Sequence, residues 1–219
     1  MSHMDLLIWA RGTGLQIALG IFVAGMVLRF AEIYSLGRKP DLSTPRPGKA
    51  WSGWKTIVSR SFPHPSMVKR TLPTIVLGYI FHIGFFVALL FFAPHIRLFR
   101  ETAGFGWPAL PTPLVDAVTM VAIVGLLMTL GYRLYHPVKR FLSNFDDYFA
   151  WTLTLLPLLT GYMAFHHLLL PYTLMLAVHI LSVELLLVFL PFTKLVHVGT
   201  IFVSRWYNGD MLGHKGARL

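Results

Sequence analysis

The chain has 219 residues, of which 55% are hydrophobic and 13% charged, about half the charged share of a soluble domain, and its mean hydropathy is +0.63. That composition belongs to an integral membrane protein. Cysteine is absent, which excludes disulfides, iron–sulfur clusters, thiolate zinc sites and covalently attached c-type haem. A redox centre here is therefore held by His or Met, or is a bound quinone. The net charge of +10 is explained by membrane topology, and no soluble module is large enough to suggest nucleic-acid binding.

Five stretches, at 6–28, 72–93, 117–134, 150–170 and 172–203, approach or exceed the roughly 20 apolar residues that a crossing needs. They predict one all-α membrane domain, a bundle of five transmembrane helices. The first stretch carries Arg11 near its start, so it is an imperfect span or begins close to the interface. It lacks a basic n-region and a small-residue cleavage site and reads as a retained helix rather than a signal peptide.

A basic segment, 29–71, follows. Its first part, R-K-P-D-L-S-T-P-R-P-G-K, reads as an extended loop. The next part, W-S-G-W-K-T-I-V-S-R-S-F, reads as an amphipathic interfacial helix anchored by Trp51 and Trp54. The segment fits anionic lipid headgroups at least as well as a docked protein. In the second span His82 lies about midway, and Gly84 beside it removes a side chain where a flat macrocycle could approach. His95 follows Pro94 at the end of that span, and His166 and His167 close the fourth. The fifth contains His179, Glu184 and His197 and is longer than a bilayer requires, so its end is expected to emerge from the membrane as helix. His3, His64, His136 and His214 fall in loops or termini and carry no assigned role.

Basic residues are unevenly distributed. Arg29, Arg38, Lys39, Arg46, Lys49, Lys55, Arg60, Lys69 and Arg70 lie between the first two spans. Arg133, Lys139 and Arg140 follow the third, and Lys194, Arg205, Lys215 and Arg218 end the chain. The other side has Arg11, Arg97 and Arg100. The positive-inside rule then predicts an outside N-terminus and a cytoplasmic C-terminus.

His179 and His197 are 18 residues apart, five turns of a continuous helix, which puts both imidazoles on one face roughly 27 Å apart. Polar groups at such depths are costly and have partners. The spacing suggests one axial ligand for each of two stacked haems; helix-packing histidines bonded to neighbours are the other reading. Given the helix directions, His82 pairs with His197 on the cytoplasmic side and His95 with His179 on the outer side. His82 and His95 are 13 residues apart, a net offset of about 220° on an ideal helix, so the outer pair depends on Pro94 re-aiming the turn. His166 and His167 are the competing outer ligands, with a quinone site or a proton path as their alternative roles.

The run from His179 through Pro191, Phe192, Thr193, Lys194, Leu195 and Val196 to His197, with F-H-I-G at Phe81–Gly84, resembles the gamma subunit of respiratory nitrate reductase. It also resembles related membrane cytochromes that pair with heterodisulfide-reductase-like iron–sulfur proteins. The likeness covers nearly the whole chain. Nitrate reductase gamma subunits carry a further ligand ten residues after the first histidine of the second helix; here that position is Phe92. The P-H-I context and the H-H pair are closer to the sulfur-metabolism relatives.

The resemblance implies a di-haem cytochrome b of the bacterial or archaeal plasma membrane, an electron-transfer subunit whose terminal catalysis belongs to a partner. Menaquinol or ubiquinol would be oxidised near the outer haem, and electrons would pass to a cytoplasmic iron–sulfur protein. His82, His197, His179 and His95 would be the iron ligands, and Lys194, one turn from His197, would pair with a haem propionate or mark the boundary by snorkelling. Arg97, Arg100, His166 and His167 are the outer polar groups available to a quinone. Glu184 would shuttle protons or sit neutral and hydrogen-bonded. Rival readings are a single-haem cytochrome b anchor with His82 and His197 alone, and a transporter whose histidines conduct protons or bind a metal.

Overall fold

The computed structural model describes residues 2–37, 42, 44, 51–63 and 65–217, apart from the Arg70 side chain. Arg38, Lys39, Arg46, Lys49, His64 and Arg218, and most of the Pro-rich loop, lie outside them. Every regular element among the described residues is helical. The elements are α1 (His3–Trp9), a π-turn (Ala10–Gly14), α2 (Leu15–Ser35), α3 (Ser52–Ser59), α4 (Pro65–Phe91) and α5 (Ala93–Ala103). They continue with α6 (Thr112–Tyr135), α7 (Pro137–Leu142), α8 (Phe145–Phe165), α9 (Tyr172–Phe189), 3₁₀ turns at Leu190–Phe192 and Lys194–Val196, and α10 (His197–His214).

Five segments, His3–Ser35, Thr71–Phe91, Thr112–Tyr135, Phe145–Phe165 and Tyr172–Phe192, are long and apolar enough to cross a membrane. By length and composition they mark a multi-pass membrane protein. The fourth ends at Phe165, short of the expected 170, because the chain turns through left-handed conformations at His167 (φ 55°) and Leu169 (φ 65°). The fifth does not run on as helix to residue 203. Pro191 has no N–H to continue the ladder, Thr193 is extended (φ −119°, ψ −179°), and a new helix starts at His197. His179 and His197 therefore do not share one helix, and their 18-residue spacing does not put them on one face.

The chain forms two compact units. One contains the residues up to Leu19 with Leu72–Val188, the other Gly20–Thr71 with Phe189–Leu219. In the first, Ala122, Ile123 and Leu126 of α6 and Leu158 of α8 form a buried cluster flanked by Phe81 and Phe85 of α4 and Trp151 of α8. Trp151 donates its indole N–H to the Leu126 carbonyl at 2.8 Å. Gly84 belongs to this packing: a Cβ there would lie 2.5 Å from Ala122 Cβ and 3.0 Å from the Val118 carbonyl. It is a helix-contact glycine facing α6, not the opening for a macrocycle that its place beside His82 suggests. α8 begins with a capping box between Asn144 and Asp147, and Arg133 of α6 reaches Asp147 at 3.3 Å and Ser143 Oγ at 2.8 Å.

In the second unit the expected amphipathic helix is present as α3. Gly53 and Thr56 are buried against α10, where Gly53 meets Trp206 and Gly209 meets Thr56. Trp51 and Trp54 stay exposed on its other face. Arg205 of α10 donates to Ser61 Oγ at 2.9 Å. Pro191 packs on Gly25 of α2, where a Cβ would lie 2.8 Å from its ring, and Arg29 Nε donates to the Pro191 carbonyl at 2.8 Å.

Candidate functional site

The break between α4 and α5 builds the first half of the site. Pro94 cannot donate to Leu90, the carbonyl four residues back; the indole of Trp107 donates to it instead, at 2.6 Å. Leu110 N–H donates to Phe91 at 3.1 Å. His95 Nδ1 lies 2.8 Å from the Ala88 carbonyl. A carbonyl only accepts, so the proton is on Nδ1 and the lone pair on Nε2. The last carbonyls of α4 thus receive donors from beyond the break, as helix ends require. Burial pushes the His95 imidazole below its ordinary pKa, so the neutral form is favoured.

α9 supplies the second half. The His179 ring lies 6.1 Å from that of His95, with 18° between their planes. Metal–imidazole bonds are about 2.0–2.1 Å, so two imidazoles that ligate one metal from opposite sides have ring centres roughly 6 Å apart. The ring spacing matches that distance. Thr160 Oγ1 of α8 lies 3.3 Å from His179 Nδ1 and 3.0 Å from Ser182 Oγ. This is the kind of outer contact that fixes a ligand ring. Gly161 is placed flat against the same ring: a Cβ there would be 2.9 Å from His179 Cε1 and 3.1 Å from Nδ1. Phe92, which occupies the position of the expected family ligand, meets His95 edge-on at 5.4 Å and Phe165 at the same distance. It forms an aromatic wall.

His82 is exposed on α4 in the first unit, and its Nδ1 lies 2.7 Å from the Gly78 carbonyl. His197 is exposed at the start of α10 in the second unit, and its Nδ1 lies 2.7 Å from the Lys194 carbonyl. Both contacts again put the lone pair on Nε2. Lys194 itself is exposed in the second 3₁₀ turn. His166 Nε2 contacts Asp116 Oδ1 of α6 at 2.7 Å, and His167 stacks on Tyr172 with ring centres 4.8 Å apart. His95, not the His166–His167 pair, is the histidine whose ring lies 6.1 Å from that of His179. Arg97 and Arg100 are exposed on α5. Arg11 lies in the π-turn and pairs with Glu101 of α5. Glu184 is 7% exposed, and its Oε1 has no hydrogen-bond partner among the described residues.

The sequence did not point to Gly161, Thr160, Asp116 or Glu101. Only the isolated acid in an apolar stretch, Asp116, carried a signal there to follow. No group of three or more His, Asp or Glu residues is placed to hold a bare metal ion among the described residues.

Fold and site together define a multi-pass α-helical membrane protein with imidazoles paired across helices. The chain is 34% identical over 168 residues to a protein of Nitratidesulfovibrio vulgaris strain Hildenborough, an alignment spanning 76% of this chain and 72% of that relative. It belongs to the same family as that protein. No family model matches the chain, and no solved structure matches it.

Proposed function

We propose that the protein is the membrane cytochrome b subunit of a respiratory redox complex, exchanging electrons between the quinone pool and a cytoplasmic iron–sulfur partner through two b-type haems. The observation that carries this reading is the His95–His179 pair: near-parallel rings 6.1 Å apart from separate helices. His95 is set by the Ala88 carbonyl and His179 by Thr160 and Gly161. These two would hold the outer haem. The inner ligands, His82 and His197, rest on the F-H-I-G and P-F-T-K-L-V-H motifs, with Lys194 three residues before His197 for a propionate. When bound, the haems supply one-electron chemistry; the protein's residues fix the tautomers, wall the site with Phe92 and keep the surroundings apolar. The N-terminus faces outward and the C-terminus the cytoplasm of a bacterial or archaeal plasma membrane, as the basic residues suggest. Terminal catalysis lies on the partner subunit.

The test is a dithionite-reduced minus oxidised spectrum with haem b quantified as pyridine haemochrome, on wild type and His95→Ala. Two haems per chain falling to one is expected. Two in both would remove His95 from the ligand set. One in wild type would leave a single-haem anchor, and none would sink the cytochrome reading.

A further inference from the structure

Glu184 is buried in the middle of a membrane-spanning helix, and nothing among the described residues donates to its Oε1. Its carboxylate lies directly over Gly14, where a Cβ would come within 2.8 Å of Oε1 and 2.9 Å of Oε2. The first helix opens into its π-turn, Ala10–Gly14, at this point. Such π-bulges occur frequently at functional sites. Beside the carboxylate is a cavity of about 490 Å³ lined by Trp9, Ile17, Leu181, Leu185 and Val188, with Ser182 and Glu184 as its polar side chains. All these residues belong to the first compact unit. Small-molecule sites have this size and make-up, mostly apolar with a few placed polar groups.

We propose that this cavity binds the head group of a lipid-soluble hydroquinone, with Glu184 Oε1 accepting a hydrogen bond from its hydroxyl. The proposal rests on the cytochrome reading for its choice of ligand and moves the quinone from Arg97, Arg100, His166 and His167 to a different place. Three features select the occupant. A buried carboxyl oxygen without a partner needs a donor, and a hydroquinone brings one on an apolar aromatic ring. A carboxyl group also suits both redox forms, accepting from a hydroxyl when ionised and donating to a carbonyl when protonated. The cavity is open at its wall, where Trp9, Ile17 and Leu185 are 44%, 53% and 41% exposed, so a hydrophobic ligand has a way in. Ser182 connects the cavity to the outer ligand, being 3.0 Å from Thr160 Oγ1, which is 3.3 Å from His179 Nδ1.

The probe is 2-heptyl-4-hydroxyquinoline N-oxide, whose fluorescence is quenched when it binds, titrated into the purified full chain in detergent. Wild type is expected to saturate near one probe per chain, with displacement by decylubiquinol. Glu184→Gln, which keeps the shape and removes the ionisable carboxyl, should weaken binding at least tenfold. Leu185→Trp should fill the cavity without touching the acid and abolish binding, which preserves the test if Glu184→Gln does not fold. His166→Ala should bind as wild type. Non-saturable wild-type binding, unchanged affinity in Glu184→Gln, or displacement by diacylglycerol alone would overturn the proposal. Haem content of the same samples separates the two readings. Haem with unchanged affinity in Glu184→Gln removes only this site, whereas no haem in wild type removes the cytochrome while Glu184-dependent binding would keep the site.

Discussion

Gly161 and His179 show how much of this protein's chemistry depends on the absence of a side chain. A Cβ at position 161 would lie 2.9 Å from the His179 ring, so Gly161→Ala must push the imidazole or separate α8 from α9. Overpacking of this kind costs about 1–3 kcal/mol, more than the roughly 1 kcal/mol that Ala gains over Gly in a helix. The expected outcome is a lower thermal midpoint by circular dichroism together with loss of one haem per chain in the reduced spectrum. Gly84 and Gly78 on α4 give a paired comparison. Gly84→Ala meets Ala122 Cβ at 2.5 Å and the Val118 carbonyl at 3.0 Å, whereas Gly78→Ala meets nothing within 4 Å. The first should lower the midpoint and the second should leave it unchanged or raise it; equal effects would refute the close α4–α6 approach. These residues also show where sequence reasoning stops. Gly84 was visible as special, but periodicity names a helix face and not the neighbour across it. Gly161, Thr160 and Asp116 gain meaning only from partners 18, 19 and 50 residues away.

At the scale of elements, the informative features are the two interruptions. The five apolar segments were legible because a bilayer demands long uninterrupted runs, and their cores agree with the helices. The breaks were less legible because a proline says that a helix is disturbed and not how the chain continues. At α4–α5 the break resolves the 13-residue spacing of His82 and His95: the second histidine is on a new helix and its angular offset on the first no longer applies. At α9–α10 the break overturns the one-helix reading of His179 and His197, and P-F-T-K-L-V-H becomes a stop, a cap and a restart. Thr193 caps the second turn through Leu195 N–H at 3.4 Å, and the Lys194 carbonyl faces His197 Nδ1. A double-mutant cycle tests the first break. Trp107→Phe leaves the Leu90 carbonyl unpaired, a loss of about 1–3 kcal/mol. Pro94→Ala restores a backbone N–H for that carbonyl, so Trp107→Phe should cost much less in its background. Pro94→Ala alone should lower haem content, because a continuous helix turns His95 away from His179. Additive effects on the thermal midpoint would show that the indole does not replace the missing N–H.

For the whole molecule, the question with the most consequences is which way the chain is threaded, since under the proposed function this would fix the side from which electrons leave. Its amino-acid composition provides the means of asking: with no cysteine in 219 residues, any single introduced thiol is the only one. Lys and Arg dominate the segments before Thr71, after Tyr135 and after Phe192, while the connection between α8 and α9 has none. Basic residues are retained on the cytoplasmic side during insertion, so with an odd number of spans this distribution predicts an outside N-terminus. Ser2→Cys should react with a membrane-impermeant maleimide in intact cells or spheroplasts. Ala217→Cys should react only after permeabilisation, and Leu169→Cys, in the uncharged connection, should behave like Ser2→Cys. Labelling of the position-217 thiol in intact spheroplasts would reverse the orientation. It would also put Trp51, Trp54 and the His197 end of the molecule on the outer side, where the proposed cytoplasmic iron–sulfur partner could not reach them.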